Sequence, residues 1–349
     1  MAHILILRFS AIGDVAMTVP VIDSLARQYP NHCYTVVSQV FLSPLFAHCP
    51  ANVQFVGVNL KDYGGVMGMY RLFRELRRKR FDVVADLHDV LRTKLLRLFF
   101  HVSGTKTAHI RKGRKEKRQL TARKGKRLLP LKHVTERYAD VFRALGFPVA
   151  PDFRSIFGNG RGDISAITSL TGTKSGKWIG VAPFAKHRGK IYPIERTEQI
   201  VARLTAEADV FVFLFGGGEK EKAILEEWSG KYPHTLPVAG RLKLAEELSL
   251  ISHLDVMFCM DSANMHLASL TATPVVSIWG ATHPYAGFYG YRQSPDNAIQ
   301  LNMGCRPCSV YGNKPCFRGD EACMRGITPQ TVLDYIFFPD SLPQSMKEI

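Results

Sequence analysis

The sequence predicts an α/β protein made of two doubly wound units, on three observations. At roughly 100–200 residues per domain, a chain of 349 residues holds two cores. Short β-rich runs alternate with stretches of helical periodicity, the pattern of parallel sheets with crossover helices. The alternation stops in a stretch rich in Gly, Ser and Thr at 158–176 and restarts at Trp178. That stretch reads as a linker and divides the chain into residues 1–165 and 166–349.

The elements follow in order. Residues 3–7 are a buried strand, followed by a loop and a helix over about 15–29. Residues 34–38 and 54–58 are β-rich. Between 70 and 80, Tyr70, Phe73 and Leu76 recur at helical spacing among Arg71, Arg74, Arg77 and Arg78. Residues 81–87 are the next strand. Residues 111–127 are a basic run with Glu116 as its one acid, expected as a mobile surface loop. Helical periodicity resumes over 133–145. In the second half, strands are expected at 178–182, 210–215, 256–260 and 275–279. Helices are expected at 195–208, 219–229, 244–253 and from 264 to 270.

Hydrophobic residues make up 46% of the chain and charged residues 22%, which excludes disorder as the default. The net charge of +16 is one-sided in sequence: residues 1–155 hold 27 Lys and Arg against 11 Asp and Glu, and residues 156–349 hold 19 of each. That asymmetry points to a polyanionic partner for the first half: nucleic acid, anionic lipid or a phosphorylated glycolipid. The apolar run at 4–7 is too short for a leader and is ended by Arg8, and no run reaches the 18–20 apolar residues of a span. The expectation is a cytoplasmic protein, with the seven cysteines reduced.

Three loops carry candidate chemistry. Arg8-Phe9-Ser10-Ala11-Ile12-Gly13-Asp14 follows the first strand, where ligands of open parallel sheets bind. Asp14 there is a candidate proton acceptor, and equally a cap of the following helix. The loop lacks the G-x-G-x-x-G dinucleotide fingerprint, which disfavours a dehydrogenase. After the first strand of the second half, PFAKHRGKIYP gathers Lys186, Arg188 and Lys190. A fixed cation there would stabilise the charge on a departing phosphate, unless the loop is merely solvated. Asp261-Ser262-Ala263-Asn264-Met265-His266 follows strand 256–260 and opens a helix whose free N–H groups suit an anion. His187, His266 and His283 are as readily packing residues as ligands.

In order, RFSAIGDVAMTVP, KHVTERY, PFAKHRGKIYP, LFGGGE, DSANMHLASLTATPVVSIWGATHP and CRPCSVYGNKPC with CMRGITP resemble glycosyltransferase family 9, the lipopolysaccharide heptosyltransferases, over residues 3 to about 335. The resemblance implies the GT-B architecture, two Rossmann-like domains facing across a cleft, with metal-independent, inverting transfer. It places Asp14 as general base, Lys190 on the donor phosphate and Asp261 near the donor sugar. Ser262, Ala263, Asn264 and Met265 would line the diphosphate with backbone amides, and His266 belongs to the same donor site. Glu219 would meet the ribose and Leu242 the base, with Gly216 and Gly217 also in the donor site. Ala263 stands where the family has Gly, and Phe184-Ala185 where hydroxyl residues are common, which bears on the exact donor.

The resemblance implies an ADP-heptose donor on the second domain and an anionic inner-core glycolipid acceptor on the first, met at the cytoplasmic face of the inner membrane. Ser10, Gly13, Arg71, Arg74, Arg77, Arg78, Arg111 and Arg114 are the acceptor candidates. Residues 91–102 mix Leu95, Leu96, Leu98, Phe99 and Phe100 with Arg92, Lys94 and Arg97, which fits either a membrane-surface helix or a core helix with snorkelling cations. No cofactor is expected for catalysis. Cys305, Cys308, Cys316 and Cys323 are spaced C-x2-C-x7-C-x6-C, a candidate structural zinc site or a reduced cluster. The rival function is nucleic-acid binding through 111–127, against which stand the missing binding-module signatures and the lack of interleaved aromatics.

Overall fold

The computed structural model describes residues 1–338. The chain divides into two compact units, Met1–Lys112 with His133–Ile156, and Gly113–Lys132 with the chain from Phe157 onward. Each carries one all-parallel sheet, five-stranded in the first and six-stranded in the second.

The first unit opens with β1 (His3–Leu7), α1 (Ile12–Ala16), α2 (Val19–Gln28), β2 (Cys33–Gln39), a 3₁₀ stretch at Val40–Phe46 and β3 (Val53–Val58). It continues through α3 (Gly65–Arg77), β4 (Val83–Asp86), α4 (Leu91–Val102) and β5 (Lys106–His109). The expected single helix over 15–29 is two helices. The Thr18 hydroxyl donates to the Val15 carbonyl at the break (2.7 Å), and Pro20, which has no N–H to give, sits in the first turn of α2.

β1 is central and covered on both faces, which is why it reads as a continuous apolar run. α3 turns Met69, Leu72, Phe73 and Leu76 inward, and α4 turns Thr93, Leu96 and Phe100 inward. Phe73 meets Phe100 edge-on at 4.9 Å and Phe99 at 5.7 Å, in one cluster with Leu5, Leu7, Phe9 and Val84. Burying a ring such as Phe100 is worth about 2–3 kcal/mol. The core-helix reading of 91–102 therefore holds for the inner face of α4, while Leu91, Leu98 and Val102 are exposed on the other.

The basic run is folded, not a mobile loop. It forms α5 (Arg114–Leu120), which buries Lys117 and Leu120 and belongs to the second unit. The Lys117 ammonium lies 4.1 Å from the centre of the Phe288 ring, and the Arg123 guanidinium 4.6 Å from that of Phe317. Lys126 Nζ donates to the carbonyls of Cys305 (2.8 Å) and Pro307 (2.9 Å). The chain returns to the first unit with α6 (Val134–Leu145).

This routing changes the charge argument. The first unit holds 18 Lys and Arg against 10 Asp and Glu, and the second holds 28 against 20, so each carries +8. The asymmetry seen along the sequence arises because residues 113–132 precede most of the unit they pack into.

In the second unit, α7 (Ser165–Thr171) is followed by β6 (Lys177–Ala182), α8 (Ile194–Leu204), β7 (Val210–Leu214), α9 (Glu219–Lys231) and β8 (Thr235–Pro237). Then come α10 (Leu244–Ile251), β9 (Val256–Met260), α11 (Ala263–Leu270), β10 (Val275–Ile278), β11 (Ala298–Ile299), α12 (Ala322–Arg325) and α13 (Pro329–Phe337). The stretch at 158–176 is not a free linker. Ile167 of α7 is fully buried, and Gly162 N donates to Ser252 Oγ at 2.9 Å. The units accordingly part at 156/157 rather than at 165/166.

Candidate functional site

The strand order of the first sheet, β3-β2-β1-β4-β5, reverses between β1 and β4. Crossovers leave opposite faces there, which opens a crevice at the carboxyl ends of those two strands. After β1, Arg8 and Ser10 lie in the loop and Gly13 and Asp14 in the first turn of α1, and the loop after β4 carries Leu87, His88 and Asp89. Arg8 is buried and joins the two loops. Its Nη2 lies 2.9 Å from Asp14 Oδ1, and its Nη1 donates to the Leu87 carbonyl at 2.6 Å. Asp14 is not the helix cap: Ala11 holds that position and Asp14 sits in the first turn of α1. Its backbone carbonyl accepts from the Tyr138 hydroxyl at 3.3 Å, while its carboxylate stays partly open to solvent.

His88 is buried beside this pair and accepts from the Phe9 N–H through Nδ1 (3.4 Å), so the neutral ring carries its proton on Nε2. Burial, with the Arg8 and Lys112 charges, pushes its pKa down to about 3. Asp86, fully buried, accepts from the His88 and Asp89 N–H groups and pairs with Arg97 at 3.0 Å. This Arg8, His88, Asp86 and Arg97 network was missed in the sequence. The available signal was a polar Asp-Leu-His-Asp run just past a strand, where β4 ends at a ligand edge.

The second sheet, β11-β10-β9-β6-β7-β8, reverses between β6 and β9. The loop after β6 carries Lys186, Arg188 and Lys190, and the loop after β9 carries Asp261 and Ser262. The structure separates the three cations. Lys190 Nζ lies 2.8 Å from Asp261 Oδ2, Arg188 pairs with Glu321 at 3.1 Å, and Lys186 is exposed. Ser262 precedes α11, and its hydroxyl oxygen is buried without a hydrogen-bond partner. Ala263 and Asn264 are half-buried, while Met265 and His266 are buried in the first turns of α11.

The remaining donor candidates lie along the same edge, because β9, β6, β7 and β8 are successive neighbours. Gly216, Gly217 and Glu219 follow β7, and Leu242 follows β8. Glu219 is exposed. It is Glu221 that turns back over this loop, accepting from the Gly217 N–H at 2.7 Å. With strands about 4.8 Å apart, these loops form a ledge three strand spacings long, enough for an extended nucleotide.

The acceptor candidates do not form one group. Arg71, Arg74, Arg77 and Arg78 are exposed on and just after α3. Arg71 donates to the Asp62 carbonyl and lies over the Tyr63 ring. Arg111 belongs to the first unit and Arg114 to the second.

No group of three or more His, Cys, Asp or Glu side chains able to hold a metal exists among the described residues. The zinc expectation for Cys305, Cys308, Cys316 and Cys323 is therefore unsupported. Cys308 Sγ faces the Ala281 carbonyl at 3.8 Å and Cys316 Sγ faces Asp320 at 4.0 Å. Burial pushes the Cys308 thiol up and Cys323 to about 11. No described helix is long and apolar enough to cross a membrane.

The model of glycosyltransferase family 9 (heptosyltransferase) matches residues 69–315. The lipopolysaccharide core heptosyltransferase OpsX of Haemophilus influenzae is 25% identical over 290 residues, 80% of this chain and 79% of its own length. Two solved structures share the fold. The glycosyl transferase family 9 protein of Veillonella parvula has a TM-score of 0.72 and 17% identity, covering 95% of both chains. The ADP-heptose lipopolysaccharide heptosyltransferase II of Escherichia coli has a TM-score of 0.67 and 20% identity, covering 96% of this chain and 97% of its own.

Proposed function

Since this chain belongs to glycosyltransferase family 9, the heptosyltransferases, with the GT-B fold, we propose that it moves a heptose from ADP-heptose onto an anionic lipopolysaccharide inner-core acceptor, with inversion. The observation that carries the reading is the Lys190–Asp261 pair at a strand-order reversal, beside the unpartnered Ser262 hydroxyl at the head of α11. A diphosphate there would meet one buried-side cation and the free amides of Ser262 to Met265, with Asp261 toward the sugar. Gly216, Gly217 and Glu219 would follow on the ribose and Leu242 on the base. The relatives' printed names supply the donor and acceptor classes.

The chemistry then runs through this chain's own groups. Asp14 takes the proton of the acceptor hydroxyl as its oxygen attacks the anomeric carbon. The bond from that carbon to the diphosphate breaks, and the electron pair leaves with ADP. Lys190 and the α11 amides stabilise the charge gathered on the terminal phosphate. No metal or cofactor is needed for these steps. The exposed cations of α3, with Ser10 and Gly13 beside the base, are the acceptor contacts of this reading. It also places the enzyme peripherally on the cytoplasmic face of the inner membrane, supported by exposed Leu91, Leu98 and Val102 among the cations of α4. Nucleic-acid binding is not favoured: part of the basic run, Lys117, Arg123 and Lys126, is engaged within the second unit, and no binding-module signature accompanies it.

The test is calorimetric titration of ADP, ADP-heptose, UDP, GDP and NAD into the wild type and Lys190→Ala. Adenine-diphosphate selectivity is expected, with ADP bound about ten- to a hundredfold more weakly by the variant, the worth of one charge-assisted contact. Absence of nucleotide binding by the wild type would overturn the reading.

A further inference from the structure

We propose that the cysteine-bearing segment at 305–312 is a strut that positions Lys190 for the terminal phosphate of a nucleoside diphosphate, with Gly312 and Arg306 as its positioning residues. The inference rests on the reading of Lys190 as the phosphate contact, and goes beyond it by assigning work to a segment the transfer chemistry does not use.

The contact is steric first. Gly312 has φ +72°, and a Cβ at that position would lie 2.7 Å from Lys190 Cγ. Only glycine both adopts this backbone and leaves room for the lysine stem. The turn before Lys190 is equally close-fitted: a Cβ on Gly189 would lie 2.8 Å from the Gly312 carbonyl oxygen and 2.9 Å from Ala281 Cβ.

Hydrogen bonds fix the same turn from two sides. Gly189 N donates to the Gly312 carbonyl at 3.2 Å, and the Gly189 carbonyl accepts from Ala281 N at 2.9 Å. The two supporting segments are themselves joined, since Cys308 N and Ser309 N both donate to the Ala281 carbonyl, at 3.0 and 3.1 Å. Ser309 Oγ accepts from Gly312 N at 3.0 Å and closes the bend.

Arg306 locks this assembly. It is 4% exposed, and its guanidinium donates to the carbonyls of Gly280 (2.5 Å), Trp279 (2.8 Å), Thr282 (3.0 Å) and Leu301, and to Gln300 Oε1 (3.1 Å). Burial lowers its pKa to about 10, so it stays charged at neutral pH. One buried cation thus gathers the carbonyls of the loop whose Ala281 holds Gly189. A lysine has four rotatable bonds, and the entropy of aiming its ammonium is lost on binding unless the fold has already restricted it.

The experiment is a double-mutant cycle read by ADP titration calorimetry on the full chain, using wild type, Lys190→Ala, Gly312→Ala and the double variant. Gly319→Ala serves as control: it lies in the same region at φ +77°, with nothing within 4 Å of its Cβ position. Gly312→Ala is expected to weaken ADP about three- to tenfold in the wild-type background and to add nothing to Lys190→Ala, because interacting sites are not additive. Gly319→Ala is expected to bind as wild type. Equal weakening by Gly312→Ala in both backgrounds, no weakening at all, or equal weakening by Gly319→Ala would overturn the strut. Unchanged ADP affinity in Lys190→Ala alone would overturn the donor-site reading instead, and the strut with it. If Gly312→Ala does not fold, Gly312→Asn repeats the cycle, since asparagine tolerates left-handed backbone while still carrying a Cβ.

Discussion

Arg8 aims Asp14: one arm of its guanidinium holds the carboxylate at 2.9 Å while the other is tied to the Leu87 carbonyl at 2.6 Å. The base of the proposed reaction is therefore oriented by a residue six positions earlier and by a loop from a different strand. Arg8→Met is expected to lower kcat by about ten- to a hundredfold through misplacement of the base. ADP affinity should be unchanged, because the residues proposed to bind the donor belong to the other unit. Steady-state kinetics with a purified acceptor, alongside ADP titration, checks both halves. Asp14→Asn should abolish transfer and bind ADP as wild type.

Asp261 holds the Lys190 ammonium at 2.8 Å, so a phosphate reaching that ammonium would compete with its carboxylate. Asp261→Asn should bind ADP at least as tightly as the wild type while losing transfer. It should also melt at a lower temperature without nucleotide, since breaking a mostly buried pair costs about 3 kcal/mol or more. Thermal unfolding with and without ADP reads both effects, and a variant that loses ADP would place Asp261 on the nucleotide itself.

Two buried histidines set an acid limit on stability. His88 is depressed to about 3 and His283 to about 4, each chiefly by burial. Between those values and about 6.5, the unfolded chain binds protons that the folded chain refuses, so stability rises with pH and is lost on acidification. Each histidine contributes a slope of about 1.4 kcal/mol per pH unit inside its window. Urea unfolding of His283→Gln at pH 7 and pH 5 should show a smaller acid loss than the wild type. A steeper loss in the variant would contradict this assignment.

The basic segment should resist protease in spite of its composition. Residues 113–132 hold nine Lys and Arg, yet Lys117 is buried and Lys126 is bonded to two carbonyls. Limited trypsin digestion of the wild type should leave this segment intact longer than an unstructured basic loop would last. Lys126→Met should speed its cleavage and cost about 1–3 kcal/mol in stability, through the two carbonyls left without their donor.

Much of this was legible where one local rule acts alone. Residues 3–7 and 256–260 are buried on both faces, so their apolar runs coincide with β1 and β9. Asp14, Lys190 and Asp261 stand just past such strands, where parallel sheets place ligands, and their order along the chain carried the resemblance. The short edge strands β5, β8 and β11 were not legible, because two to four residues hold no alternation to read. Nor was the arginine that serves each loop. Arg8 and Arg306 act through carbonyls brought close only by the fold, and a carbonyl has no signature in the sequence. The segment at 113–132 misled for the same reason: composition records its charge but not Phe288 and Phe317, which take that charge up from some 170 to 190 positions away.

The discontinuity at 113–132 bears on how the gene can be divided. The chain passes from one unit to the other at 112/113, 132/133 and 156/157. A fragment ending near 156 carries the basic segment without its aromatic seats, and one starting at 157 lacks the Lys126 that donates to the Cys305 and Pro307 carbonyls. Swapping halves between relatives to exchange specificities would therefore have to move three junctions together, so that this segment travels with the downstream half even though the reading frame places it upstream.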